Sequence, residues 1–268
     1  MEYFVVTGAS RGLGAALCRR ILDRGDAVVG VARSDNAGLW EYAARGGAVD
    51  RFRYVRKDLA ETRGLEDLYA PLLAMLEHDP PQGVHLINNA GLLEPVGPVE
   101  SYDFGLLDRH IMTNLTAPMA LSAAFLARIK PRKELAGCPM TIVNITSGAG
   151  EKPYYGRGPY CATKAGLEMF TRVIAAEQYH RESMVRAYAV RPGVVDTEMQ
   201  AFSRRQPKEM IGDPERFRRL KREGRLTPPE RAAESILRTI DDARIGSGDI
   251  VDLRELYPDE QGGASPTQ

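Results

Sequence analysis

Tyr3-Phe4-Val5-Val6-Thr7-Gly8-Ala9-Ser10-Arg11-Gly12-Leu13-Gly14 is the stretch that decides the fold of this 268-residue chain. A short unbroken apolar run such as Tyr3–Val6 fits a strand buried on both faces, as in a parallel sheet. Glycines spaced GxxxGxG follow at once, and after them a helical pattern runs over Leu13–Arg24. Glycine permits a tight turn and lets backbone N–H groups approach a phosphate, while a helix N-terminus favours negative charge. The spacing is not the GxGxxG of the usual dinucleotide fingerprint, and glycines at such a junction also serve turn geometry alone. Gly8, Ser10, Arg11, Gly12, Leu13 and Gly14 are therefore candidate phosphate contacts, to be read with the rest of the chain.

Outward from this unit the same alternation repeats. Tyr3–Val6, Ala27–Ala32, Arg53–Val55, Val84–Ile87, Thr141–Ile145, Arg186–Val190 and Ile250–Leu253 read as strands. Helical patterns cover Leu13–Arg24, Leu65–Glu77, Asp103–Ile129, Tyr160–His180 and Pro229–Asp241. Strands alternating with helices imply βαβ units, so the expected fold is α/β, a single doubly wound Rossmann-type domain with a parallel sheet covered by helices on both faces. Ligands in such folds bind at the carboxyl ends of the strands. The domain is expected over residues 1–258, with a polar tail at 259–268 read as disordered. Residues 198–229 break the alternation. Their length and Pro207, Pro214 and Pro228 suggest a lid, and from Arg204 to Arg225 they hold nine basic and four acidic residues. This segment is either a solvated helical flap or a basic lid that attracts anionic substrates.

Lys+Arg and Asp+Glu both number 36, so no net field favours nucleic acid or an anionic membrane. Three cysteines without CxxC or Cys/His spacing argue against a disulfide framework or a metal site and suggest a reducing, cytoplasmic compartment. The strand-like opening Tyr3-Phe4-Val5-Val6 leads to the expectation of no secretory signal. The longest apolar stretch, Ala117–Ile129, is too short to cross a membrane.

The second strand ends in Arg33-Ser34. Folds that bind NAD carry an acid near this position to hold the ribose 2′-hydroxyl. Arg33 offers instead a guanidinium fork suited to a 2′-phosphate, and Arg11 in the turn could reach the same group. The pair points to NADP(H), although Asp35, two residues on, keeps NADH open.

Tyr160-Cys161-Ala162-Thr163-Lys164 heads a helical segment, and positions i and i+4 share a face. An ordinary tyrosine has a pKa of about 10. A fixed ammonium beside it, with an oxidised nicotinamide ring, would favour the phenolate and lower that value. Ser147 stands upstream at a strand end, where its hydroxyl could hold a carbonyl oxygen beside Tyr160.

Gly8/Gly12/Gly14, Asn88-Asn89-Ala90-Gly91, Asn114, Ser147, Tyr160, Lys164 and Pro192-Gly193 fall in an order and spacing that resembles the short-chain dehydrogenases/reductases, from Glu2 to about Leu256. The resemblance implies that Ser147 polarises the carbonyl, Tyr160 supplies the proton, Lys164 holds the nicotinamide ribose, and Asn114 keeps a water in the proton relay. It also implies cofactor contacts at Ser34, Asp58, Leu59, Asn88, Ala90, Gly91, Pro192, Gly193, Val195 and Thr197, and a homodimer or homotetramer built on the helices near 103–129 and 160–180. Asn114-Leu115-Thr116-Ala117-Pro118 and Arg191-Pro192-Gly193-Val194-Val195-Asp196-Thr197-Glu198-Met199-Gln200 are most similar to the sepiapterin reductase and benzil reductase group. In sepiapterin reductases an acidic residue near the C-terminus grips the pterin, and Glu255 lies nearest that role, with Asp252 second.

Tyr154, Met199 and Phe202, with Tyr155 and Met210, flank the expected site and are candidates for an apolar substrate pocket. His78, His85, His110 and His180 show no metal-ligand spacing and receive no chemistry, and Cys161 reads as a packing residue. The leading expectation is an NADPH-dependent reductase of a ketone or vicinal dicarbonyl. A 3-ketoacyl thioester or other alcohol/ketone oxidoreductase on the same scaffold is the second reading, and a non-catalytic NADPH-sensing regulator the third. The intact Asn114/Ser147/Tyr160/Lys164 set speaks against a sensor, which needs no proton relay.

Overall fold

Residues 1–77, 81–132 and 135–258 are described by the structure, a computed structural model. The expected tail and His78 lie outside the described residues. Among the described residues seven strands, β1 (Glu2–Thr7), β2 (Ala27–Ala32), β3 (Phe52–Arg56), β4 (Gly83–Asn88), β5 (Met140–Ile145), β6 (Val185–Arg191) and β7 (Ile250–Asp252), form one sheet in the order β3-β2-β1-β4-β5-β6-β7. Every pairing is parallel. The strand order reverses between β1 and β4, so their carboxyl ends form the crevice where ligands bind in open α/β sheets.

The apolar runs divide between the two faces. Phe4 and Val6 join Leu17, Ile21, Leu39 and Tyr188 on one side. Tyr3 and Val5 join Tyr69, Leu121, Phe125 and Ile142 on the other. A run buried on both faces needs no polar alternation, which is why β1 reads as continuous hydrophobicity.

Helices α1 (Gly12–Asp23), α2 (Ala37–Arg45), α3 (Ala70–Leu76), α4 (Phe104–Ile111), α5 (Ala117–Arg128), α6 (Gly158–His180) and α10 (Pro229–Asp241) cover the sheet. The sequence pattern missed α2, which Asn36 caps by accepting from the Leu39 N–H at 3.2 Å. The helix expected over Asp103–Ile129 is interrupted by a π-helical turn at Met112–Thr116. Pro118 explains the break: it has no N–H for the carbonyl of Asn114 four residues earlier, and its ring crowds that carbonyl. The last expected strand also ends early, because Asp252 caps a short helix, α11 (Leu253–Leu256).

The 198–229 segment folds as α7 (Glu198–Arg205), α8 (Lys208–Ile211) and α9 (Pro214–Arg222). Many of its cations pair locally, Arg204 and Lys221 with Asp196, Arg218 and Arg222 with Glu215, and Arg225 with Glu223. That internal pairing favours the reading of a solvated flap over a surface tuned to anions.

Candidate active site

The glycine turn sits at the reversal of strand order and is stitched to the end of β4. Thr7 Oγ1 accepts the N–H groups of Asn89 and Ala90, each at 3.0 Å, and the Asn89 amide donates to Thr7 O at 2.8 Å. Gly8 has φ +76, and a Cβ there would lie 2.9 Å from Ala90 Cα. A Cβ on Gly14 would lie 2.2 Å from Gly8 O, so only glycine lets the helix start this close to the turn. The Thr197 methyl lies 3.3 Å from where a Gly12 Cβ would stand. Asn36, which sequence reasoning passed over, ties the turn to the end of β2 by donating to Ser10 O at 2.9 Å. Arg11, Arg33 and Ser34 are exposed beside this cradle, and Leu13 is buried behind it. These residues fit a dinucleotide: a backbone cradle at a helix N-terminus, with Arg11 at the helix cap and Arg33 directly after β2, both exposed.

Other expected cofactor positions are more engaged than the sequence suggested. The Asn88 side chain is buried and donates to Asn144 Oδ1 at 2.8 Å and Ser122 Oγ at 3.3 Å, so it braces the interior and leaves only its main chain at the strand end. Asp58 accepts from Arg109 at 2.5 Å and from the Ala60 N–H at 3.1 Å. Burial pushes its carboxyl up, but these two donors outweigh it and hold the group below its ordinary range. Leu59 is buried. Gly193, with φ +76, lies against the Arg254 side chain, and Val195 bridges to Thr227.

The chemistry-bearing set gathers where β5 ends and α6 begins. Lys164 is buried and donates from Nζ to Ile145 O at 2.7 Å, with Nζ 5.6 Å from the centroid of the Tyr160 ring. Burial pushes its ammonium down to about 8, partly opposed by Glu168. Tyr160 is 9 % exposed. Its burial raises the phenol above the ordinary value, opposed by a hydrogen bond from Ser147 and by the Arg157 charge. The lowering expected from the sequence counts the positive nicotinamide ring as well as the ammonium; among the protein's own groups burial has the larger effect. One of the three Lys164 ammonium hydrogens goes to Ile145 O, and desolvation of the phenolate dominates.

Asn114, in the π turn, is fully buried and pairs with Leu92: Oδ1 accepts the Leu92 N–H at 2.7 Å, and Nδ2 donates to Leu92 O at 2.8 Å. A Cβ on Gly91 would stand 3.7 Å from Asn114 Oδ1 and 3.8 Å from Lys164 Nζ, so the two groups meet at this glycine.

Leu93, Val96, Ala149, Tyr160 and Ile211 form a separate apolar cluster, flanked by Tyr154, Met199, Phe202, Met210 and Phe217. The structure thus gathers four of the expected pocket residues, Tyr154, Met199, Phe202 and Met210, around the cluster that contains Tyr160. Tyr155 instead is 59 % exposed. Arg157 packs over the Phe217 ring at 4.5 Å and donates to Ser203 Oγ at 3.1 Å, fastening the 198–229 segment to the start of α6. Glu255 is exposed on α11, while Asp252 is clasped by Arg254 at 2.5 and 2.9 Å. Sequence reasoning gave no role to His110, yet it is buried between Asn114 and α6. The available signal was its position four residues before Asn114 on one helical face.

A doubly wound parallel sheet, a glycine cradle at its crevice and a Ser–Tyr–Lys set beside it define a nucleotide-dependent oxidoreductase. The chain belongs to the short-chain dehydrogenase family, whose model matches residues 2–208. It is 35% identical over 255 residues to a benzil reductase ((S)-benzoin forming) of Bacillus cereus, covering 95% of this chain and 100% of that protein. It is 35% identical over 262 residues to a sepiapterin reductase of Meriones unguiculatus, covering 93% of this chain and 95% of that one. The crystal structure of the KRED1-Pglu enzyme superposes with a TM-score of 0.79 at 30% identity, covering 94% of this chain and 100% of that chain. The protein is an oxidoreductase acting between carbonyl and alcohol groups, and its family uses a nicotinamide cofactor.

Among the described residues no helix is long and apolar enough to cross a membrane, and no group of three or more His, Cys, Asp or Glu could hold a metal ion. Cys18, Cys138 and Cys161 are free thiols.

Proposed function

We propose that the protein reduces a ketone or vicinal dicarbonyl to the alcohol with NADPH, using Tyr160 as proton donor. The observation that carries this reading is the juxtaposition of Ser147, Tyr160 and Lys164 with an apolar cluster roofed by the lid. The benzil reductase named above makes an aromatic dicarbonyl the first substrate to try, and the sepiapterin reductase makes a pterin side chain the second.

The glycine turn, Arg11 and Arg33 would hold the phosphates. Ser34, Asp58, Leu59, Ala90, Gly91, Pro192, Gly193, Val195 and Thr197 would line the remainder of the cofactor, with the main chain of Asn88. When bound, the reduced nicotinamide supplies the hydride. Ser147 donates a hydrogen bond to the carbonyl oxygen and fixes it within reach of the Tyr160 hydroxyl. Tyr160, kept protonated by its burial, gives its proton to the developing alkoxide. Lys164 then stabilises the phenolate, and Asn114 holds a water through the carbonyl whose α-helical donor position is Pro118. Leu93, Val96, Met199 and Phe202 exclude bulk water from these steps and pack an aromatic substrate face.

Phe104, Ile111 and Met119 on α4 and α5, and Met169 and Val173 on α6, are exposed apolar residues. They support a homodimer, or a tetramer containing it, joined through these helices. Three cysteines without CxxC or Cys/His spacing support work in a reducing compartment such as the cytoplasm.

The test is purified protein with NADPH and benzil, sepiapterin or an acetoacetyl thioester, followed at the NADPH absorbance, with Tyr160→Phe as the control. We expect consumption with benzil or sepiapterin that Tyr160→Phe abolishes while binding NADPH within a few-fold of wild type. Consumption with the thioester alone would move the assignment to a ketoacyl reductase. Cofactor binding without turnover on any carbonyl would favour a sensor.

A further inference from the structure

We propose that His110 is a positioning residue for the reduction, holding the Asn114 amide and the first turn of α6 in one arrangement through a single tautomer of its ring. The inference rests on the reading that Asn114, Tyr160 and Lys164 serve catalysis.

The hydrogen bonding determines the tautomer. His110 Nδ1 lies 2.7 Å from Glu94 O. A carbonyl oxygen can only accept, so Nδ1 carries the proton, and Nε2 of the neutral ring presents a lone pair. Nε2 faces Asn114 Nδ2 at 3.0 Å and Thr163 Oγ1 at 3.1 Å. Asn114 Nδ2 has two hydrogens. One goes to Leu92 O, and the other is directed at the His110 lone pair. Both amide orientations are thereby distinguished: a flipped Asn114 would set oxygen against Leu92 O and against Nε2, and NH2 against the Leu92 N–H. The Thr163 hydroxyl lies 2.8 Å from Pro159 O and 3.2 Å from Tyr160 O, so the same ring abuts the backbone that carries the proton donor.

His110 is 0 % exposed and joins three walls of the site: the loop after β4 through Glu94, the π turn through Asn114, and α6 through Thr163. Its ring meets Tyr160 edge to face, with centroids 6.2 Å apart. Tyr160 and Lys164, both on α6, are the titratable side chains packed against it, and Glu94 contributes its main-chain oxygen. Burial and the Lys164 charge hold the ring below its ordinary value, although the main-chain oxygens of Glu94 and Pro159, which would accept from the protonated ring, oppose them. Protonation would turn Nε2 into a donor facing the Asn114 NH2, and the amide would lose this partner and keep only Leu92. An apolar ring at this position would fill the space but leave one Asn114 hydrogen buried and unmet, a cost that falls on the turn whose carbonyl faces the relay. A residue that merely filled space would not need either nitrogen.

The test compares wild type with His110→Phe, which keeps the shape and removes both nitrogens, and His110→Gln, which can restore a donor toward Glu94 O and an acceptor toward Asn114. We expect His110→Phe to lower kcat by roughly ten- to a hundredfold, the range that follows from leaving one buried donor unmet. NADPH Kd and substrate KM should stay within twofold, the pH–rate profile should shift, and His110→Gln should recover part of kcat. Nitrogen NMR of the native protein should show Nδ1 protonated and Nε2 bare across the working pH range. A His110→Phe enzyme with wild-type kcat and pH profile would overturn the inference alone. A wild type inert on every carbonyl would overturn the reading of function together with it. If His110→Phe does not fold, the NMR measurement decides, and a proton on Nε2 in the native protein would overturn the proposal.

Discussion

Lys164 Nζ donates to the main-chain oxygen of Ile145 at 2.7 Å, tying the second turn of α6 to the last residue of β5. This bond keeps a buried ammonium in place, and burial holds it at about 8, well below the lysine value of 10.5. Between those limits the unfolded chain binds more protons than the folded one, so the cost of burying Lys164 is full below pH about 8 and is relieved as pH rises through the window. Activity runs the other way, because the charged form is the useful one. We expect kcat/KM for NADPH, which reports the free enzyme, to fall above pH about 8. Tyr160 should not account for that limb, since its burial keeps it protonated further up. Lys164→Arg should lower the rate and remove the limb from the accessible range. A wild-type profile flat well into the tyrosine range would contradict the assignment.

Arg33→Ala is expected to weaken NADPH binding about tenfold, the lower part of the range for a charge-assisted contact, because Arg33 is exposed and screened by salt. NADH affinity should change less than twofold. Titration of both cofactors by fluorescence checks this, and equal affinities in wild type would make Arg11 and Arg33 ordinary surface charges.

Gly156 offers a test of the lid that leaves the reacting groups alone. It has φ +71, and a Cβ there would stand 1.7 Å from Met210 O. Gly156→Ala must shift α8, in addition to about 1–2 kcal/mol for a left-handed conformation. We expect a severalfold rise in the KM of an aromatic diketone, an unchanged NADPH Kd, and a melting temperature lower by several degrees. An unaltered KM would place the 208–212 segment outside the substrate pocket.

The strands were legible in the sequence because both faces of this sheet are covered, and runs such as Ala27–Ala32 need no other signal. The Ser147, Tyr160 and Lys164 positions were legible because one strand end and one helical i, i+4 step bring them together. What the sequence hid is what depends on contacts between distant segments. His110 owes its surroundings to Glu94 and Thr163, and Asn88 owes its burial to Asn144 and Ser122. The π turn could have been found from Pro118 following Asn114 by four residues. The rise in the Tyr160 value could not, because spacing does not reveal how much water a phenol has lost.

The last prediction concerns Glu255, which the resemblance places nearest the pterin-gripping acid. The side chain is exposed on α11 and so is available to a ligand. Asp252, the other candidate, caps the helix and is held by the Arg254 guanidinium, which lies against Gly193. A carboxylate already bonded to arginine has less capacity to accept two N–H groups from an amino-pyrimidine, so Glu255 is the better anchor of the two. Anchoring would turn the pterin side-chain carbonyl toward Ser147 and Tyr160. Benzil has no donor edge and would gain nothing from the carboxylate. Glu255→Gln should therefore raise the KM for sepiapterin about tenfold or more, as expected for a charge-assisted pair, and leave benzil kinetics within twofold. Equal effects on both substrates would remove Glu255 from the site and leave a general diketone reductase whose selectivity rests on the apolar cluster around Leu93, Met199 and Phe202.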